Sequence, residues 1–425
     1  MRKCAGTLAR VLLLGVIAAS CTTRVPPIGT SGTPFTPSAE ERRLWSDAER
    51  EEESLLTRVA TYEDASLDEY LGRVAAKLVP ADVGPDGPVI KFVILRDPTL
   101  AAFAMPEGRV FVHTGLLSRV ENEAQLATIL GHELRHVYDR HFLVFTRDSD
   151  STKVLNRLRE MVTALGTPPS AIQDRRDQYA GAAVLSRTAN AILGLGLKVC
   201  AVSAMHGYGR DLEREADVAG MAAVVRAGYD PKESVKLFKL LRDEAAGRGP
   251  LEAFFFGNAA RLGERHDSVQ QLLLKEYKEE AKRKDLVKST DGFEERLRVL
   301  VRENAALDTQ AGRFPLARKQ LDRVLKATPN DAIAHLYDGE LHRLQSQRAK
   351  SAGERDTEVR MALESYEQSV ALDPAYPDPF RQLGLLYYQQ KDPARARAAF
   401  ERYLALKPDA ADAKRVREYL VELER

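Results

Sequence analysis

Asn122-Glu123-Ala124-Gln125-Leu126-Ala127-Thr128-Ile129-Leu130-Gly131-His132-Glu133-Leu134-Arg135-His136 is the most informative stretch of the chain. Asn122, with Gln125 three residues on, has the form of a capping box. Ala124, Leu126, Ala127, Ile129 and Leu130 supply the apolar positions of a helix that the pattern extends through His141. His132 and His136 are four residues apart, so they share one helix face and both imidazoles can reach one metal ion. Glu133 lies beside His132 on that face, next to the position of a metal-bound water. Zinc lowers the pKa of such a water to roughly 7, and a carboxylate can then take its proton as general base. His-Glu-x-x-His is the zinc-binding pattern of metalloprotease helices. A histidine pair on a helix can also be structural, but here the helix is strongly amphipathic and follows strand-like segments.

A catalytic zinc with two histidines needs a third protein ligand and an open position for water. The best candidate is Glu213, in Arg210-Asp211-Leu212-Glu213-Arg214-Glu215-Ala216-Asp217. Glu213 and Asp217 share a face, so Glu213 can bind the metal while Asp217 orients a ligand histidine from behind. Glu215 points away from that face and reads as solvated. The oxyanion stabiliser is not named by the pattern, since Tyr208, His206 and Arg210 are neighbours of the site in sequence only.

Outward from this centre, Val89 to Leu95, Ala101 to Met105 and Arg109 to His113 read as strands, the last two flanking a Pro106-Glu107-Gly108 turn. Residues 39–61 and 68–78 read as helices, and residues 145–175 as a polar segment that serves either as a lid or as a solvated loop. A second apolar helix is expected over 180–205. A third is expected from 210 to 227, stopped by Gly228-Tyr229-Asp230-Pro231. Asn190 to Met205 is too short for a membrane span and contains Lys198.

The chain has 425 residues, 44% hydrophobic and 29% charged, with a formal net charge of +1. That length suits two folded domains, and the balanced charge offers no argument for nucleic acid. Met1-Arg2-Lys3 and the apolar run Val11 to Ala19 have the form of a secretory leader. Small residues then lead into Cys21, as in a bacterial lipobox, although Ala18 stands where Leu is usual. Ordinary secretion by cleavage nearby is the simpler alternative. By resemblance to lipoproteins, Cys21 would carry lipid, and Thr22 after it points to the outer membrane. Of three cysteines only Cys200 then remains, in apolar surroundings that suit a buried thiol. Residues 22–38, rich in Thr, Pro, Gly and Ser, read as an extended tether.

Beyond about residue 300 the pattern becomes repetitive. Pro374 and Pro408 are 34 residues apart, the tetratricopeptide period. Between them Phe380, Leu383, Gly384, Tyr387, Ala396 and Phe400 fit that motif. Ala362 and Tyr366 mark the preceding unit, and Ala317, Leu321 and Pro329 an earlier one, with about 11 extra residues near Gln345–Thr357. Residues 411–424 read as a capping helix. Such an array offers a surface for peptides or partner proteins.

The chain resembles the family-48 zinc metallopeptidases, the gluzincin group that contains HtpX-like, CAAX-prenyl and BepA-like proteases. Ala102 to Gly108, Thr114-Gly115-Leu116-Leu117, Gly131 to His136, His141, and Arg210, Glu213, Ala216, Asp217 and Gly220 match its elements in order, over about residues 45–275. The chain departs from the family at Ala259-Ala260, where a His-Pro pair is usual in the phrase ending at Arg265. The pair's histidine is implicated in covering the metal in BepA-like enzymes, so a self-inhibitory switch of that kind is in doubt. Gly209 replaces the usual Ser, and His266 is out of register.

The reading that follows is an α+β protein. Residues 1–20 are a signal peptide and 21–44 a flexible tether. A mainly helical zincin peptidase domain with a small β-sheet spans 45–275, a connecting helix 276–300, and an all-α tetratricopeptide-repeat array 301–425. His132, His136 and Glu213 hold one zinc ion, with Glu133 and Asp217 as the catalytic carboxylates. The resemblance implies an endopeptidase acting on unfolded or misassembled envelope proteins in the periplasm, lipid-anchored at the outer membrane, with the repeats reaching its assembly machinery and no nucleic-acid partner. The rival is a non-catalytic chaperone or scaffold acting through the repeats, against which the intact Glu133 argues. Substrates would add as a strand to the edge at Ala102–Met105.

Overall fold

The computed structural model describes residues 25–30, 32, 34–80, 83–147, 187–204, 208–245 and 259–424. The leader and most of the charged segment 145–175 lie outside these residues, as does His206.

Helices α1 (Ala39–Leu56) and α2 (Ala65–Ala76) precede the strands β1 (Lys91–Leu95), β2 (Ala102–Ala104) and β3 (Arg109–His113). The strands form one sheet in the order β1-β3-β2, with β1 parallel and β2 antiparallel to β3. Alternation along β3 serves two layers. Val110 and Val112 join a core with α2 and the ligand helix, while Phe111 stacks on Phe103 at 4.8 Å in a second core against α1. A one-turn helix α3 (Thr114–Leu117) leads into α4 (Glu123–Tyr138), which carries the His-Glu-x-x-His stretch. Asn122 caps α4 by accepting from the Gln125 N–H at 3.0 Å. The Gln125 side chain reaches back to Glu121 N–H instead of Asn122, so the box is shifted by one residue.

Four expectations are corrected. The α4 helix does not run through His141: it ends at Tyr138, Arg140 takes a left-handed φ of 59°, and α5 (His141–Arg147) starts afresh. The apolar helix of 180–205 is broken, as far as it is described, into α6 (Arg187–Leu195) and α7 (Lys198–Ala204) around Gly196. The 21–44 tether is docked in its described part: Ile28 is 3% exposed and donates its N–H to Tyr138 O at 2.7 Å, and α1 already begins at Ala39. Apolar Val25 and Ile28 gave this segment surface to bury, which its turn-forming composition concealed. Finally, residues 276–292 are not a connecting helix, since they hold only a 3-10 turn at Glu280–Lys282.

Helices α8 (Arg210–Arg226), α9 (Lys232–Glu244) and α10 (Ala259–Lys275) complete the domain. The repeats follow as α11 (Phe293–Gln310) with α12 (Phe314–Ala327), α13 (Ala332–Arg348) with α14 (Ala352–Leu372), α15 (Pro377–Gln389) with α16 (Pro393–Leu406), and the cap α17 (Ala413–Glu422). The extra residues lengthen α14 to 21 residues, with only a short break after α13. Phe293, Leu297, Leu300 and Val301 of α11 are buried in the same core as α2 and α4. The repeat array is therefore fused to the peptidase core through its first helix. Asn304 bonds Thr114, Ser118 and Gln320 at 2.9–3.1 Å in a buried polar seam that Arg119 and Asp308 extend. Among the described residues no helix is long and apolar enough to cross a membrane.

Candidate metal centre

The two ligand helices α4 and α8 cross where Gly131 faces Gly220. A Cβ on Gly220 would lie 3.1 Å from backbone atoms of Gly131 and His132, so any larger residue would push the helices apart by a few tenths of an ångström. The close approach lets short side chains from both helices converge. His132 Nε2 and His136 Nε2 are 3.0 Å apart, His132 Nε2 and Glu213 Oε2 3.5 Å, and His136 Nε2 and Glu213 Oε1 3.4 Å.

That triangle can be tested against a metal. Zinc–ligand bonds of about 2.0–2.1 Å in tetrahedral geometry put neighbouring donors about 3.3 Å apart. The three observed edges bracket this value, and the donor set of two imidazoles and a carboxylate is one that zinc accepts. The residues fit the ion.

Each ligand is held from behind. His132 Nδ1 lies 2.9 Å from Asp217 Oδ1, leaving Nε2 for the metal. His136 Nδ1 lies 2.9 Å from His141 Nδ1, a contact made possible by the left-handed turn at Arg140. Burial holds the His141 imidazole down at about 4, so it stays neutral and can accept the His136 N–H. The Glu215 carboxylate, expected to be solvated, is half-exposed but lies 3.9 Å from His141 Nε2.

Arg265, on α10, is the residue that sequence reasoning left without a role. Its Nε and Nη2 donate to Asp217 at 2.9 and 2.6 Å, and its Nη1 lies 3.1 Å from Glu213 Oε2. The guanidinium also lies over the Phe238 ring at 4.8 Å. Its signal was the final Arg of the Phe256–Arg265 phrase, whose start lies outside the described residues. Burial alone would raise the Glu213 carboxyl, yet the Arg265 charge and the two histidines hold it well below the usual range. Asp217 is likewise lowered against burial by Arg265 and His132. Burial and the Arg265 charge would lower His132, but its bonds to Asp217 and Glu213 carry it up to about 9.

Glu133 projects into the cavity formed by these groups, and burial pushes its carboxyl up to about 7. Tyr208 is brought in as well, its ring 4.8 Å from that of His136. Burial drives its hydroxyl well up, so it stays protonated. Arg210 is not brought in: it is exposed and pairs with Glu264 at 3.2 Å. His266 bonds Asp267 at 2.9 Å. Cys200 is a buried free thiol away from the cavity.

One wall of the cavity is apolar, with Leu100, Leu116, Ile129, Leu237 and Leu241. Beside it run Ala101 and Ala102, at the sheet edge. Met105 donates to Arg109 O and His113 donates to Ala101 O. In an antiparallel pair this alternation turns the backbone groups of Ala102 and Ala104 outward, away from β3. The edge of β2 therefore presents hydrogen-bonding groups alongside the candidate metal ligands.

Residues 63–302 match peptidase family M48, and residues 308–354 and 350–421 match tetratricopeptide repeats. A putative beta-barrel assembly-enhancing protease of Vibrio cholerae is 28% identical over 248 residues, covering 55% of this chain and 46% of the relative. The beta-barrel assembly-enhancing protease of Escherichia coli K12 is 26% identical over 242 residues, covering 56% and 46%. A mitochondrial metalloendopeptidase OMA1 of Schizosaccharomyces pombe is 26% identical over 240 residues, covering 55% and 59%. The matches thus span about half the length of these curated relatives.

Proposed function

Given that the chain belongs to peptidase family M48 and carries C-terminal tetratricopeptide repeats, we propose that it is a zinc-dependent endopeptidase of the gluzincin type. Its substrates would be unfolded or misassembled envelope proteins. The observation that carries this reading is the His132–His136–Glu213 triangle with the Glu133 carboxylate in the same cavity.

His132, His136 and Glu213 would hold one zinc ion, leaving a fourth position open. When bound, the ion supplies a Lewis acid and makes water acidic enough to be deprotonated near neutral pH. Glu133 takes the proton of the attacking water and returns it to the leaving amine. Its buried position in the cavity beside His132 places the carboxylate to serve both halves of that exchange. Asp217 and His141 orient the two imidazoles, and Arg265 keeps Asp217 and Glu213 ionised. An extended substrate would pair with the outward groups of Ala102 and Ala104 and place an apolar side chain against Ile129 and Leu237. Backbone pairing tolerates many sequences, as a protease of unfolded chains requires.

By analogy with the beta-barrel assembly-enhancing proteases, the substrates would be outer-membrane proteins in the periplasm and the repeats would engage their assembly machinery; the lipobox-like leader separately suggests that lipid on Cys21 anchors the chain. Purified residues 22–425, with and without Glu133→Gln, test the core of this proposal on casein with added zinc or a chelator. Cleavage lost in the mutant and on chelation is expected. Cleavage that survives both would assign it to a contaminant and remove the reading.

A further inference from the structure

The cavity holds more hydrogen-bond donors than the metal and its shell can use. Most are committed. Arg265 spends its nitrogens on Asp217 and Glu213. Thr128 bonds Ala124 O and Ser234 at 2.9 and 2.7 Å. The Nδ1 atoms of His132 and His136 face Asp217 and His141. Two side-chain hydroxyls lining the same cavity remain, Ser203 and Tyr208. Ser203 Oγ is fully buried and has no hydrogen-bond partner, although it lies close enough to Tyr208 to act on its hydroxyl. The Tyr208 ring is fixed by His136 on one side and by Phe142 and Phe145 at 6.4 and 5.9 Å on the other. A buried hydroxyl without a hydrogen-bond partner of good geometry, as Ser203 Oγ is, costs free energy unless a neighbour or a ligand completes it.

We propose that Tyr208 is a catalytic residue whose hydroxyl donates to the oxyanion of the tetrahedral adduct, with Ser203 orienting it from behind. The assignment rests on the peptidase reading above. In the step concerned, the water oxygen bonds to the peptide carbon, the π pair of the carbonyl moves onto its oxygen, and Glu133 takes the water proton. The carbonyl then re-forms, the C–N bond breaks, and that proton goes to the amine nitrogen. Tyr208 keeps its own proton throughout. It would contribute because a buried O–H in the cavity, carried by a ring packed on that of His136, interacts more strongly with the charge that develops in the transition state than with the neutral carbonyl of the substrate. Arg265, the other cation of the site, is already neutralised by two carboxylates and would have to abandon them to do the same.

The test compares full-length wild type, Tyr208→Phe and Ser203→Ala, each loaded with zinc and checked for folding by thermal unfolding. Phe keeps the packing against His136 and removes only the hydroxyl. Three quantities are read: steady-state cleavage of an unfolded substrate, zinc content, and calorimetric affinity for a phosphinic peptide, which imitates the tetrahedral adduct. For Tyr208→Phe, kcat should fall about 10²–10³-fold, with KM within a few-fold of wild type and one zinc per chain retained. The phosphinic peptide should lose affinity in parallel. Ser203→Ala should show a smaller kcat loss, about 3–10-fold. Unchanged kcat and phosphinate affinity in folded, zinc-loaded Tyr208→Phe would overturn the assignment and leave the peptidase reading standing. Lost zinc in that variant would make Tyr208 a support for His136 and overturn it too. If zinc-loaded wild type cleaves nothing, both fall together.

Discussion

Replacing Gly220 by Ala should weaken the metal site from the far side of its ligand helix. The added Cβ would sit 3.1 Å from Gly131 C and His132 N and 3.2 Å from His132 Cα. Ordinary contact begins at 3.4 Å, so α8 must move by a few tenths of an ångström. The opposing atoms are backbone of the ligand helix and cannot rotate aside. Glu213 lies seven residues before Gly220, two turns along the same face, so the shift reaches its carboxylate. Metal sites tolerate about ±0.2 Å in ligand distance, and the three edges of the triangle already sit at tetrahedral spacing. We expect zinc affinity to fall about 10–100-fold, the range seen when supporting groups are disturbed. Alanine's better helix propensity returns up to ~1 kcal/mol, against about 1–3 kcal/mol for overpacking. The metal-free chain should therefore lose about 0–3 kcal/mol. Gly131→Ala is the internal control: its Cβ would meet Gly220 O at 3.3 Å and other atoms no closer than 3.6 Å, so its effect should be smaller. Competition with a chromophoric chelator measures the affinity, and calorimetry the stability. Wild-type zinc affinity in Gly220→Ala, or greater damage from Gly131→Ala, would refute the reasoning.

Three further outcomes are expected. Arg265→Gln leaves Asp217 and Glu213 buried without their cation, which should destabilise the metal-free chain by about 3–5 kcal/mol; zinc should recover part of that loss, and equal losses with and without zinc in calorimetry would contradict it. Burial would raise the Glu233 carboxyl, but bonds from Lys236, Asn122, Lys288 and Gln125 hold it at about 2 against an ordinary 4.5. Its contribution is therefore present above pH 4.5 and lost as pH falls toward 2. It amounts to about 1–2 kcal/mol once the exposure of both lysines is allowed for, and Glu233→Gln should flatten the dependence of Tm on pH in that window. Asn304→Ala leaves the buried Gln320 Oε1 without its partner, while Thr114 and Ser118 keep bonds to Asp97 O and Gly115 O, and should cost about 1–3 kcal/mol. Because α11 belongs to the peptidase core, the whole chain should unfold earlier in one transition; a separate early melting of the repeats would argue against the fused core.

Much of this protein is local and so is legible in the sequence. Spacing of four puts His132 and His136 on one face, and the same spacing links Glu213 to Asp217, because helical periodicity is a property of the chain itself. Strand β3 was legible to the residue, since Arg109–His113 is β-rich and bounded by a turn and a helix start. The repeats declared themselves by their 34-residue period. What the tertiary structure decided are the contacts between segments distant in sequence. Arg265 stands 48 residues from Asp217 and 133 from His132, and no local period connects them. The left-handed Arg140 that brings His141 back to His136 left no sign in the hydrophobic pattern, which continues smoothly through the break. The docking of Ile28 and the union of α11 with the peptidase core were hidden likewise, because composition reports how much apolar surface a segment has but not where that surface finds its partner. The candidate ligands are thus written in the sequence, while their orientation, their charge balance and the hydroxyls beside them arise only when packing brings separate helices into one cavity.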